Sequence, residues 1–374
     1  MAQYFHILTL ALLLLYNVPS FADGQHSALN NQQRRLKTNK KRWTNQFDPH
    51  LHGGAIINGA ALIQLARNKG DLNAGLHALG LQRKTSFKEA LRSAQRLMDL
   101  SNPNHHESHR AIGSFRTAAF PGNKYEQWVK ATIKKLERDN SEAFIQFTPH
   151  QAEKFIRIVR QLNEPINGKG ILISIGRSNF NEHLIGPLFE KFSEVRGLDI
   201  IGKEVTHNDL NHFRRVVSFL QSHREQPVLR IHAGEGFLGR GGEKTVNIVL
   251  RELVKLSRKS DLSNLRVVLG HAAKIDDVIS AKAHLKELNK NGVTVDVNIN
   301  PISNLLYGVV PDIKSIAAFQ LDANSYIAGT DNVGSIEANQ KIVKLALQGK
   351  FEKAQHIARH YIRLREKWLA LESQ

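Results

Sequence analysis

The chain has 374 residues and a formal net charge of +18 at pH 7, from 52 Lys and Arg against 34 Asp and Glu. It contains no cysteine, which excludes disulfide bonds, thiolate metal sites and a cysteine nucleophile. The length is large for one ordinary domain but typical of a single α/β barrel with insertions.

The N-terminus, residues 1–22, is predicted to be a cleavable export signal. The apolar run ILTLALLLL at 7–15 is too short to span a bilayer, and Ser20-Phe21-Ala22 places small residues at both signal-peptidase positions. The segment before this run lacks the usual Lys or Arg. We expect a periplasmic or secreted protein that begins at Asp23, with no transmembrane segment in the rest of the chain.

Residues 23–45 are predicted to form a basic, flexible arm ahead of one domain at 46–374. The stretch RRLKTNKKR at 34–42 contains six cations in nine residues. Such runs usually stay in solvent, and that interpretation is favoured here. A weak contact with polyanions or anionic membrane surfaces is the alternative.

Apolar, β-rich runs alternate with amphipathic helical segments along this domain, a pattern typical of a parallel sheet wrapped by helices. About 90 residues separate the first two strands, enough for several helices. The sequence therefore predicts an α/β fold, a (β/α)8 TIM-type barrel with extra helices inserted after the first strand. The eight predicted strands are 47–52, 143–148, 170–176, 197–202, 228–232, 266–271, 293–300 and 325–331.

Two helix starts carry a capping-box pattern, in which a Ser or Thr precedes a Glu or Gln by three residues. They are Ser86-x-x-Glu89 and Thr148-x-x-Gln151.

Histidines and a carboxylate stand at the ends of several strands, where active sites of such barrels lie. The first strand ends with His50 and His52, which share a face because they are two residues apart. His232, His271 and Asp331 end three other strands. Three of these four imidazoles and the carboxylate, around an open position, would be a typical ligand set for Zn²⁺. A metal site is therefore predicted here.

Glu235 follows His232 by three residues, across Ala233-Gly234. A carboxylate there can move protons between a metal-bound water and a substrate nitrogen, while His271 can orient that water. By itself, Glu235 is equally consistent with an acid that stabilises the N-terminus of a helix.

Five motifs, in order, resemble those of the adenosine deaminase family: HLHGGA, HAGE, LGHA, NPISN and GTDN, with GLDIIGKE resembling its purine-contacting strand. The resemblance covers essentially the whole chain after the predicted signal. It implies a zinc aminohydrolase on a (β/α)8 barrel, acting on adenosine or a related aminopurine nucleoside.

The resemblance also assigns roles to residues. His50, His52, His232 and Asp331 match the zinc ligands, Glu235 the proton shuttle and His271 the residue that positions the attacking hydroxide. Gly202 matches a backbone contact to the purine. In the implied reaction, zinc hydroxide attacks the ring carbon that bears the amine, and ammonia departs.

Two departures from the family pattern fall on substrate-facing positions. Asn332 stands where the family has a second Asp; its amide can still donate a hydrogen bond to a purine nitrogen, but the charge is lost. The sequence Gly53-Gly54-Ala55 follows His52, where the family has a ribose-contacting Asp.

These departures keep two alternatives open. One is the same metal chemistry on a nucleotide, a modified nucleoside or a non-purine amide, with Arg240 and Lys244 able to reach an anionic group. The other is a secreted polyanion-binding module on a deaminase-like barrel. His105, His106 and His109 lie in the long first insertion and are interpreted as surface or lid residues rather than a second metal site.

Overall fold

The structure of the chain is a computed structural model. It describes residues 47–300 except 54–55, 58, 82–85, 99–104, 139–141, 165, 167–168, 178, 202–211, 235–241 and 273–274, together with 325–328 and short stretches between 341 and 357. The predicted signal and basic arm lie outside the described residues.

Eight strands form one sheet in which each strand pairs in parallel with the next in the chain. They match the predicted strands to within a few residues at each end. The strands are β1 (Phe47–His52), β2 (Glu142–Phe147), β3 (Lys169–Gly176), β4 (Val195–Ile201), β5 (Val228–Ala233), β6 (Arg266–His271), β7 (Thr294–Ile299) and β8 (Ser325–Ala328).

Five described α-helices and a short 3₁₀ helix (Gly122–Lys124) lie between β1 and β2, and one α-helix lies in each of the next five connections. The first five are α1 (Gly59–Lys69), α2 (Leu72–Ala78), α3 (Phe87–Leu97), α4 (His105–Ala119) and α5 (Tyr125–Arg138). The others are α6 (Pro149–Gln161), α7 (Glu182–Lys191), α8 (Phe213–His223), α9 (Gly242–Ser257) and α10 (Val278–Lys290). Parallel strands require such crossovers, because each strand must begin again at the same end of the sheet.

The two predicted capping boxes have different outcomes. At α3 both reciprocal bonds are present, since the Ser86 hydroxyl accepts from Glu89 N–H at 3.4 Å and the Glu89 carboxylate accepts from Ser86 N–H at 2.9 Å. At α6 the prediction is wrong. Thr148 is the N-cap residue there, but its side chain makes no capping bond, and Pro149 begins the helix without a donor to satisfy.

The sheet separates two apolar regions. One face packs on the helices in a large core that includes Leu229 and Ile231 of β5. On the other face, Phe144, Leu172, Val228 and Val268 form a separate buried cluster drawn from four strands. Because side chains alternate along a strand, Arg230 and His232 share the face of Val228 and continue it toward the strand end.

The observed architecture is thus a parallel α/β sheet in chain order, with side chains packed on both faces. Cα atoms of β1 and β8, the first and last strands of the order, come within 8 Å of each other. Within the described part of the chain, no helix is long and apolar enough to cross a bilayer.

Candidate metal centre

The sheet brings four of the predicted histidine positions, on three strands, to one end. His50 and His52 are the last strand positions of β1, His232 is near the end of β5, and His271 ends β6. All are C-terminal strand ends, which meet at one edge because the strands are parallel. The side chains of His50 and His52 lie outside the described residues, as do Gly202, Glu235, Asp331 and Asn332 entirely.

His232 and His271 are neighbours across β5 and β6. Their ring centroids are 5.0 Å apart, at an interplanar angle of 62°. Both are buried, with relative exposures of 6% and 1%. Two imidazoles in this arrangement offer the nitrogen donors that zinc takes in hydrolase sites.

His271 reaches this position through an unusual backbone conformation. Strict alternation would place it on the helix-facing side with Val267 and Leu269. Instead, His271 has φ 71°, and Ala272 N–H donates to Gly270 O at 3.1 Å and to Ala233 O at 2.8 Å. A left-handed conformation costs a non-glycine residue roughly 1–2 kcal/mol, and such strain is concentrated at functional sites.

A buried ion pair lies next to His232. The Arg230 guanidinium donates to the Asp199 carboxylate at 2.7 Å, and both side chains are fully buried. The His232 Nε2 is 3.5 Å from the same carboxylate oxygen. Burial would raise the pKa of Asp199, but the charges and hydrogen bonds of Arg230 and His232 hold it well below its usual range.

Arg177 fixes the backbone of His232. It directly follows β3, is buried, and donates a hydrogen bond from its guanidinium to the His232 carbonyl oxygen. Gly234, directly after β5, has φ 73°, so the chain turns away from the strand direction at once. The backbone at the end of β5 is therefore held by a side chain that directly follows β3.

More polar side chains are buried in the strands around this end. They are Gln146 of β2, Ser174 of β3, Asn298 of β7 and Asn300 just after it. Asp296, earlier in β7, is also buried but pairs with Arg266 at the start of β6. The three β7 positions are two residues apart, as expected for one face of a strand.

Sequence reasoning did not single out Asp199, Arg230 or Arg177. Their signal was present: Asp199 and Arg230 are charges in otherwise apolar strands, and Arg230 shares the face of His232 two residues away. A charge in such a strand predicts a buried partner on the adjacent strand. The predicted barrel already places β4 beside β5, but the sequence could not give the register that sets Asp199 opposite Arg230.

The glycine at position 53, where this chain departs from the family pattern after His52, has a packing explanation. A Cβ on Gly53 would lie 2.0 Å from the ring of Phe147, which ends β2 and is 1% exposed. The aromatic ring therefore fills the space that a side chain at residue 53 would need. This packing explains why glycine follows the second histidine in this chain.

Among the described residues, no group of three or more His, Asp or Glu side chains is placed to hold a metal ion. Of the predicted ligands, His232 is the one whose side chain lies among the described residues, and its imidazole suits a divalent metal that prefers nitrogen.

No protein-family model matches the chain, and no curated protein matches it. Among solved structures, it is similar to an amidohydrolase from Burkholderia ambifaria with bound zinc, at 13% sequence identity and a TM-score of 0.46. The similarity covers 87% of this chain and 92% of that chain. At this identity and TM-score the neighbour carries no inference about function.

Proposed function

We propose that the chain is a metal-dependent hydrolase that deaminates adenosine or a related aminopurine, on a closed (β/α)8 barrel. The observation that supports this best is the pair of adjacent, buried imidazoles of His232 and His271, at the strand end where β1 carries His50 and His52. The ordered deaminase-like motifs supply the expected chemistry.

The proposed zinc ligands are His50, His52, His232 and Asp331. His50 and His52 end β1, which stands four strands before β5 in the sheet order, so in a closed barrel of eight they would face His232 across the opening. Asp331 follows the last described residue of β8 by three positions. When bound, a divalent metal would lower the pKa of a water molecule and stabilise negative charge at the reacting carbon.

The remaining groups would move protons and orient the substrate. Glu235, two residues after the end of β5, is proposed to protonate the ring nitrogen next to the amine-bearing carbon. His271 is proposed to hold the attacking oxygen in line, a role that its fixed, buried imidazole can serve without rearrangement. Gly202 and Asn332 are proposed to contact the purine through backbone and amide groups.

Recognition of the sugar is proposed to differ from that of the family. The ring of Phe147 fills the space beside Gly53, and no carboxylate follows His52 before residue 56. Substrates that do not depend on a ribose-contacting Asp, including free adenine and modified nucleosides, therefore belong in the test.

The decisive test combines metal content with ammonia release on protein beginning at Asp23. The substrates are adenosine, 2′-deoxyadenosine, adenine and AMP, with and without chelator. We expect bound zinc and chelator-sensitive ammonia release from at least one of them. Metal-free protein that releases ammonia, or zinc-loaded protein inactive on an extended panel of amines, would contradict the proposal.

Two variants assign the roles. Glu235→Gln should keep zinc and lose turnover by about 10²-fold or more, because proton transfer is removed while the ligands stay. His232→Ala should lose zinc, whereas His77→Ala, at an exposed position on α2, should retain it. Stoichiometric zinc in the His232 variant would exclude that residue as a ligand.

Export is a separate proposal that rests on residues 1–22. N-terminal sequencing of the protein recovered from its producing cell should give Asp23 as the first residue. An intact Met1 in a cytosolic fraction would contradict it.

A further inference from the structure

The ion pair of Asp199 and Arg230 has no role in the chemistry proposed above. The two residues face each other in register on β4 and β5, and neither side chain is exposed to solvent. A buried ion pair is a weak source of stability, because an apolar pair of similar volume often serves as well or better. Its presence next to His232 therefore suggests a role other than stability.

The geometry connects the pair to the imidazole. A single oxygen of Asp199, Oδ2, is 2.7 Å from Arg230 Nη2 and 3.5 Å from His232 Nε2. The guanidinium is anchored on its other side, since Nη1 donates to the Phe144 carbonyl of β2 at 3.1 Å. The carboxylate is thus oriented by a cation that is itself held from two strands.

An ionised carboxylate can only accept hydrogen bonds, so the imidazole nitrogen that faces it favours the protonated form. In His232 that nitrogen is Nε2, and the other ring nitrogen, Nδ1, then carries the lone pair. Metal-bound histidines in proteins commonly use one nitrogen for the metal and donate the other N–H to a carboxylate, which fixes both tautomer and ring orientation.

We propose that Asp199, oriented by Arg230, is a positioning residue that holds His232 in the Nε2–H tautomer and presents its other nitrogen to the metal. The role in metal binding rests on the proposed function; the role in fixing the ring does not. Arg177, which binds the His232 carbonyl oxygen, completes the support by holding the backbone of the same residue.

The test uses the double variant Asp199→Leu/Arg230→Met, because it removes both charges together and leaves no buried charge without its partner. The control is Arg160→Met/Glu194→Gln, which removes an ion pair of similar length, 2.8 Å, on the exposed surface. Thermal unfolding first establishes that both variants are folded.

Two readouts follow. Long-range ¹⁵N NMR of the metal-free protein, with His232→Gln used for assignment, reports which ring nitrogen carries the proton. Competition with a chromophoric chelator gives the dissociation constant for zinc. We expect a single Nε2–H tautomer in the wild type and the control, a mixture in the double variant, and zinc affinity roughly 10–100-fold weaker only in the double variant.

A folded double variant with the wild-type His232 spectrum and unchanged zinc affinity would overturn the proposal. If the wild type binds no zinc, the proposed function fails, yet the His232 spectrum still decides the role of Asp199. In that case a shift to mixed tautomers in the double variant supports the positioning role, and an unchanged tautomer rejects it.

Discussion

Two arginine–carboxylate pairs of nearly equal length occupy opposite environments in this molecule. Arg230 and Asp199, on β5 and β4, are 2.7 Å apart and fully buried. Arg160 at the end of α6 and Glu194 just before β4 are 2.8 Å apart, and their side chains are 46% and 21% exposed. The outer pair even has two parallel hydrogen bonds, at 2.8 Å each.

The comparison shows that contact distance alone does not tell how much an ion pair contributes to the stability of the fold. Water screens the outer pair, so its net contribution is small whatever its geometry. The inner pair has lost its hydration, so each charge depends on the other and neither can be removed alone without a large penalty. Burial, which the strand order decides, makes the difference.

The largest effect is expected from Arg230→Met, which leaves the Asp199 carboxylate buried without its guanidinium. The free energy of unfolding should fall by about 3–5 kcal/mol, measured by urea denaturation. Asp199→Leu/Arg230→Met should recover most of that loss. If Arg230→Met were as stable as the wild type, water would have to reach Asp199. The contrast with the exposed Arg160–Glu194 pair would then disappear.

An intermediate effect is expected from Arg177→Met. This variant removes the buried, charged donor to the His232 carbonyl, and hydrogen bonds to charged groups contribute about 1.5–3 kcal/mol. Arg177→Lys keeps the charge but loses the planar geometry of the guanidinium. Its free energy of unfolding should therefore lie between those of the wild type and Arg177→Met. Equal stability of all three proteins in urea would mean that this bond adds nothing to the β5 end.

The smallest effect is expected at the surface. Glu194→Gln should change the free energy of unfolding by only about 0.2–1 kcal/mol, and salt should shrink the difference. A loss as large as that of Arg230→Met would show that exposure is a poor guide to the strength of these pairs.

The Arg160–Glu194 pair also predicts how the free energy of unfolding changes with pH. Partial burial would raise the pKa of Glu194, but the hydrogen bonds and charge of Arg160, together with hydrogen bonds from the Glu194 backbone and Ser193, lower it. A carboxyl with a lowered folded-state pKa contributes its full stability above its ordinary pKa and loses it as the pH falls through the folded value. The difference between wild type and Glu194→Gln should therefore be constant near neutrality and shrink in acid, as followed by denaturation at several pH values.

Much of the fold was predictable from local patterns. β-rich runs alternating with helical periodicity gave all eight strands, and the Ser86–Glu89 box gave the start of α3, because these signals act over only a few residues. The Thr148 pattern is equally local, yet its side chain makes no capping bond, and Pro149 removes only its own donor at the first helical position. The sequence pattern also placed histidines at the ends of β1, β5 and β6.

The sequence by itself determined that His50, His52, His232 and His271 would stand at or near strand ends. It did so because side-chain alternation and strand length are local properties of the chain. Only the tertiary structure decided the register between β4 and β5, in which Asp199 lies opposite Arg230 and next to His232. Likewise, only the packed backbone could hold His271 at φ 71° and bring its ring beside His232, because pairing between distant strands depends on the whole sheet.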